Sequence, residues 1–272
     1  MRTPHRHYLL ASDFDQTLSF NDSGHVLSEL LGVRGFEDKV SGLARSNLVQ
    51  QGGELAYLIR HDPDFRGVRR DHLLETGRRV RLKKGLPALV DFLERGLDGF
   101  RFSFCVVSAA PREVVVAALA GIVPPERIYG TEFDHDPESG EVRSITRVPA
   151  GYGKVAVLEE LAHRLGVVSD RIIYVGDGSS DVHVMLHVNN GDGFTIAVSE
   201  NSQLSRIAKS TVLSDSAVSV LVPVLDQVLG LRTSQIRALF ESKGLMLHDW
   251  ERDRTDRVMI LEAPGMPLQA IG

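Results

Sequence analysis

The chain has 272 residues, 43% hydrophobic and 25% charged, an ordinary composition for a soluble globular protein with room for a large core plus a smaller domain. Its net charge of −5 argues against nucleic acid as the main partner. The single cysteine, Cys105, excludes an intramolecular disulfide and suits a reducing, cytoplasmic setting.

The apolar run before Ser12 is shorter than the roughly 7–15 residues of a signal-peptide core. No run reaches the ~18 apolar residues of a membrane span, so no membrane partner is expected.

In chain order, the first element is the strand Tyr8 to Ala11, which leads into Asp13. Helix-compatible segments follow at Val26 to Leu31, Phe36 to Gln50, Glu54 to Arg60 and Asp71 to Val80, with no strand between them. Residues 21–84 therefore read as a small helical cap inserted after the first strand. Its last part, 66–84, holds eight Lys/Arg against Asp71 and Glu75. That segment reads either as a solvated helix face or as a basic wall facing an anionic substrate.

A helix over Pro87 to Arg95 leads to the strand Phe102 to Val107 and a helix over Arg112 to Ala120. Turn residues 136–140 between extended segments predict a β-hairpin within 129–147. A helix over Lys154 to Leu165, the strand Arg171 to Val175, a helix over Ser180 to Val188 and the strand Phe194 to Val198 follow. Continuous apolar strands alternating with helices predict an α/β fold, a Rossmann-like doubly wound parallel sheet. The core comprises 1–20 and 85–230. Past Leu231 a helix (Ser234 to Lys243) precedes two strands around a charged turn, so 231–272 reads as an extension that adds a structural layer or a subunit contact, as in a homodimer.

Four groups fall at strand or helix ends on one edge of that sheet. Asp13 and Asp15, in Asp13-Phe14-Asp15-Gln16-Thr17, are carboxylates two residues apart in a loop. One suits attack on phosphorus, the other proton transfer to the leaving oxygen and then from water. Their mutual repulsion calls for a divalent cation or a shared proton, and oxygen donors beside a phosphate favour Mg²⁺. Asp177 and Asp181 sit in Gly176-Asp177-Gly178-Ser179-Ser180-Asp181, with Asp177 aimed at the same cation and Asp181 either completing the metal site or holding a metal-bound water. Ser108 precedes a helix start that forms a phosphate cradle with backbone amides. Lys154 opens a helix after Gly151-Tyr152-Gly153, placed to neutralise a phosphoryl group. Taken singly, each has a bland counterpart: an acidic turn, an N-cap, a solvated lysine.

Jointly and in this order, from about Tyr8 to Gly230, the motifs resemble those of the haloacid dehalogenase-like hydrolase superfamily, in its phosphoserine phosphatase-like branch with a helical cap. The resemblance implies an Mg²⁺-dependent phosphomonoester hydrolase acting on a small phosphorylated metabolite. Asp13 would be the nucleophile forming an aspartyl-phosphate and Asp15 the general acid and base. Thr17, Ser108 and Lys154 would serve the phosphate-binding loop set. Asp13, Asp15 through its carbonyl, and Asp177 would hold the metal, supported by Asp181. Asp15 disfavours dehalogenation, because halide leaves without a proton. A phosphomutase of the same fold and a non-catalytic phosphate- or partner-binding module remain alternatives. In phosphoserine phosphatases a glutamate nine residues after the nucleophile reads the substrate amine; here that place is Asp22, which equally suits a helix N-cap with Ser23.

Overall fold

The computed structural model describes residues 6–46, 49–248, 255–257 and 259–262, with side chains described up to Leu247. Strand β1 (Arg6–Ser12) pairs in parallel on one side with β2 (Phe100–Pro111) and on the other with β5 (Ile172–Gly176). Its register places Leu10 beside both Phe104 and Ile173. Alternate residues point to opposite faces. Leu10, Phe104, Ile173 and Val175 belong to one buried cluster, while Leu9, Ala11, Cys105, Ile172 and Tyr174 belong to the other. Apolar residues on both faces explain the continuous rather than alternating runs.

The main sheet has eight strands among the described residues, in the order β4-β3-β2-β1-β5-β6-β7-β9. Here β3 is Ile128–His135, β4 Val142–Arg147, β6 Phe194–Ala197, β7 Ser210–Leu213 and β9 Thr255–Arg257. All neighbours are parallel except β3 and β4, which form the antiparallel hairpin expected within 129–147. The chain builds outward from β1 through β2 to β3, then returns to β5 on the other side of β1. The crevice at the carboxyl ends of β1 and β5 is therefore the topological switch point, where ligands bind in such sheets.

Four helices lie between β1 and the core helix α5 (Leu86–Arg95): α1 (Ser23–Leu31), α2 (Phe36–Ser46), α3 (Glu54–His61) and α4 (Arg70–Arg79). They form the helical cap, with α4 packed on the core helix α6 (Arg112–Ala118). The opposite face of the sheet carries α7 (Tyr152–Leu165) and α8 (Val182–Asn190), whose Val157, Leu158, Leu161, Val184 and Met185 bury against Leu9, Ala11 and Tyr174. After α9 (Ser202–Ile207), a helical stretch runs through a 3-10 turn (Ala217–Val220), α10 (Leu221–Pro223) and a π-helical segment (Val224–Val228). Its Val218, Leu221, Val222 and Leu225 are buried in the cluster that holds Leu10.

The tail contributes to two sheets. After α11 (Thr233–Glu241), β8 (Leu245–His248) pairs antiparallel with β10 (Met259–Glu262), while β9 between them lies parallel to β7 in the main sheet. The charged turn expected between the tail strands falls at 249–254, outside the described residues. No helix among the described residues is long and apolar enough to cross a membrane.

Candidate active site

Asp13 follows the last residue of β1, and its backbone N–H donates to the Val175 carbonyl of β5 at 2.9 Å. This bond ties the loop after β1 to the end of β5, where Asp177 begins the next loop. The Asp13 side chain is 7% exposed. One oxygen accepts from the Phe14 N–H at 2.7 Å, and the other lies 2.8 Å from the Lys154 ammonium. Burial pushes the Asp13 carboxyl up to about 6; Lys154 opposes that shift and the charge of Asp181 adds to it.

Lys154 enters from the first turn of α7 and is fully buried. Its ammonium bridges Asp13 and Asp181, 2.6 Å from Asp181 Oδ1. Burial alone would lower its pKa, but the two carboxylates outweigh that and hold it above the ordinary lysine value. Asp181 is also fully buried. Its Oδ1 takes a second donor, the Tyr174 hydroxyl at 2.7 Å, and its Oδ2 accepts from the N–H groups of Asp177 (3.0 Å) and Gly178 (3.1 Å). Four donors meet the roughly four acceptor directions of a carboxylate. Asp181 therefore anchors both the lysine and the loop that carries Asp177. Gly176 is required there, because a Cβ at that position would collide with the Asp181 side chain.

Asp177 accepts from the Thr17 hydroxyl at 3.1 Å, and its carbonyl accepts from the Ser199 hydroxyl. Its carboxyl is pushed up to about 8 by burial, then by the charges of Asp13 and Asp181. Ligand oxygens of Asp13, Asp177 and Asp181 all lie within 4.8 Å of one another, a set that could hold a metal ion. Lys154 stands between two of these three carboxylates and the partly buried Lys83 lies near enough to Asp177 to feel its charge, so acids outnumber ammonium groups and a hard divalent cation would offset the excess. The donor chemistry therefore fits such an ion. Asp181 has its lone pairs occupied, whereas Asp177 Oδ2 accepts no hydrogen bond from a described residue.

Asp15 lies on the far side of this group. Its carboxylate accepts from both the N–H (3.0 Å) and the hydroxyl (2.6 Å) of Ser23, the first residue of α1. Enclosure, followed by the charge of Asp22, holds the Asp15 carboxyl well above the usual carboxylate range. Asp22 is the N-cap of α1, accepting from the N–H groups of Gly24 (2.8 Å) and His25 (3.2 Å), and it also lines the cavity. Ser108 is buried at the cavity floor, its hydroxyl accepting from Ala110 N–H at 3.2 Å.

The cavity between cap and core measures about 490 Å³. Asp13, Asp15, Ser108 and Asp177 line its core side; Asp22, Phe36 and Glu54 line its cap side. Thr17 is not on its wall, because its hydroxyl is committed to Asp177. No Lys or Arg of the basic segment 66–84 lines it either. Arg78 and Arg79 pair with Glu75, and Arg81 lies over the Phe20 ring. The cap meets the core at Gly52 (φ +90°), where a Cβ would stand 2.8 Å from Ser180 Cβ and 3.2 Å from Ala150 Cβ. Ser23, Tyr174 and Glu54 are site residues that the motif reading does not reach: a cap-side serine, a strand tyrosine and a helix-start acid look structural in sequence.

Residues 10–186 match the family model described as haloacid dehalogenase-like hydrolase. No curated protein matches the sequence. Among solved structures, the chain is similar to a HAD family hydrolase, t0658, from Salmonella enterica subsp. enterica serovar Typhi. The TM-score is 0.55 at 18% identity, over 72% of this chain and 63% of that one, so it spans less than two thirds of that protein. It is also similar to a substrate-bound phosphoserine phosphatase (TM-score 0.61, 17% identity, 81% of this chain and 98% of that one). A third is the gene product AF1437 from Archaeoglobus fulgidus (TM-score 0.63, 14% identity, 86% and 87%). At these identities the likeness concerns the fold.

Proposed function

The chain belongs to the haloacid dehalogenase-like hydrolase family, and from that membership we propose that it is a magnesium-dependent phosphatase acting on a small phosphomonoester through an aspartyl-phosphate. The observation that carries this reading is the Lys154 ammonium held between Asp13 and Asp181 beneath a cavity that Asp15 faces. The similarity to a phosphoserine phosphatase supports a phosphorylated substrate.

In this reading an Asp13 oxygen bonds to phosphorus as the ester P–O bond breaks. Asp15, whose carboxyl is held above the usual range by its enclosure and then by the Asp22 charge, delivers a proton to the departing oxygen. As a carboxylate it then takes a proton from water, whose oxygen attacks phosphorus and frees Asp13 and inorganic phosphate. Ser23 holds Asp15 in orientation for both transfers. Lys154 stays charged throughout and offsets negative charge on the nucleophile and the phosphoryl oxygens. Ser108 supplies a further hydrogen bond at the cavity floor. Asp13, Asp177 and the Asp15 carbonyl would hold Mg²⁺, with Asp181 orienting the loop; the ion supplies charge neutralisation for the phosphoryl group.

The test is phosphate release from an aryl phosphate with Mg²⁺. Activity abolished by EDTA and by Asp13→Asn supports the reading. Activity indifferent to both contradicts it, and phosphoryl movement within a substrate without release of phosphate would point to a mutase.

A further inference from the structure

A phosphoryl group at the Lys154 end fills only part of a cavity of about 490 Å³, so the rest must accommodate the organic part of the substrate. The charged side chains on the cap side are already engaged. Asp22 caps α1. Glu54 accepts from the Gly52 N–H at 2.8 Å and from its own backbone N–H. His25 and Glu37 pair with each other across 3.5 Å, both open to solvent. No Lys or Arg lines the cavity among the described residues.

The surface that remains is apolar. Phe36, Val40 and Ala44 stand four residues apart on α2, so they share one helix face, and all three line the cavity. Leu55 joins them from the first turn of α3, and Ala109 and Ala110 line the core side at the end of β2. Val40 and Leu55 pack against the buried cluster yet are only half-buried, which leaves part of each open to the cavity. An apolar group displaces water from such a surface at a gain, and a charged group does so at a cost.

We propose that this stripe reads an uncharged, apolar organic group, and that the substrate class is the phosphomonoester of an alkyl or arylalkyl alcohol. This proposal rests on the phosphatase reading above. The apolar surface begins at Ala109, next in the chain to Ser108, so one molecule can place its phosphoryl group in the core and its carbon chain against α2. A second phosphate or a carboxylate would meet Asp22 and Glu54 with no Lys or Arg opposite, and like charges in an enclosed site repel. An ammonium would give up its hydration against apolar walls, beside carboxylates already bonded to backbone amides.

The experiment compares kcat/KM, with Mg²⁺, for ethyl, propyl and butyl phosphate, whose leaving alcohols are chemically alike, and for 2-aminoethyl phosphate and phosphoserine. The expected result is a rise of about threefold or more for each methylene added from ethyl to butyl. Butyl phosphate should also exceed both charged esters by about tenfold or more. Val40→Thr keeps the side-chain shape but adds a hydroxyl, and Leu55→Ala removes apolar surface. Each is expected to lower the butyl to ethyl ratio by about threefold; a ratio within one preparation cancels any loss of folded protein. Equal turnover across the alkyl series, a preference for either charged ester, or a ratio unmoved by both variants overturns the assignment while leaving the phosphatase reading intact. Failure to hydrolyse any of these esters or an aryl phosphate removes that reading and the apolar subsite with it.

Discussion

Tyr174 donates its hydroxyl hydrogen to Asp181 Oδ1 across 2.7 Å, onto the same oxygen that the Lys154 ammonium approaches at 2.6 Å. The phenol reaches this position because Tyr174 points to the α7/α8 face of β5, beneath the loop that Asp181 closes. With two backbone amides on Oδ2, it makes Asp181 a fully satisfied buried anion.

Replacing Tyr174 by Phe removes one of these donors with little change of shape. The remaining charge of Asp181 then falls more heavily on Lys154 and weakens the hold of Lys154 on Asp13. We expect kcat to fall about tenfold with KM nearly unchanged, and stability to fall by about 1–2 kcal/mol. Steady-state kinetics and denaturant unfolding of Tyr174→Phe check both.

Metal-free stability should decline with rising pH. The carboxyls of Asp13 and Asp177 titrate near 6 and 8 in the fold, against an ordinary 3.8. The native state therefore binds these protons more tightly than the unfolded chain, so it gains stability as pH falls and loses it as pH rises from about 4 to about 8. In EDTA, Tm is expected to drop from about pH 5 to about pH 8. Added Mg²⁺ should raise Tm more at the alkaline end, where fewer protons compete with it. A Tm independent of pH and of Mg²⁺ across this range would contradict the linkage.

Asp22→Asn should move the alkaline limb of the kcat profile to lower pH. Enclosure is the main cause of the raised Asp15 pKa and the Asp22 charge the next. Removing that charge lets Asp15 lose its proton at lower pH, while Asn still caps α1. A pH–rate profile with an unactivated alkyl phosphate, which needs a general acid, reads the shift.

Gly52→Ala tests the seam between cap and core. A methyl there is strained at φ +90° and meets Ser180 and Ala150. We expect kcat/KM to fall by about tenfold or more with a smaller change in Tm, because the displaced turn opens the cavity above Asp13.

Much of this arrangement is legible in the chain. Asp13 and Asp177 stand where an apolar strand ends, Lys154 where a helix begins, and a parallel sheet brings such ends together. What escapes the sequence are contacts made across elements. Tyr174 lies in the run Ile172-Ile173-Tyr174-Val175, where a phenol looks like core filling until Asp181 is folded over it. Ser23 looks like the neighbour of an N-cap, yet both of its donors go to Asp15. Thr17 belongs to the acidic loop, but its hydroxyl serves Asp177 rather than the cavity. The short strands β7 (Ser-Thr-Val-Leu) and β9 (Thr-Asp-Arg) carry no long apolar run, and only pairing in the sheet defines them.

The account turns on Asp13 as the phosphoryl acceptor. The most direct measurement is mass spectrometry of Asp15→Asn quenched in acid during turnover of an aryl phosphate with Mg²⁺. That leaving group needs no general acid, whereas the attacking water needs Asp15 as its general base, so the intermediate should accumulate. The account predicts one phosphoryl group on the peptide that contains Asp13, absent when Asp13 is also replaced by Asn. Release of phosphate by the unaltered enzyme with no phosphoryl group ever found on Asp13 would contradict it.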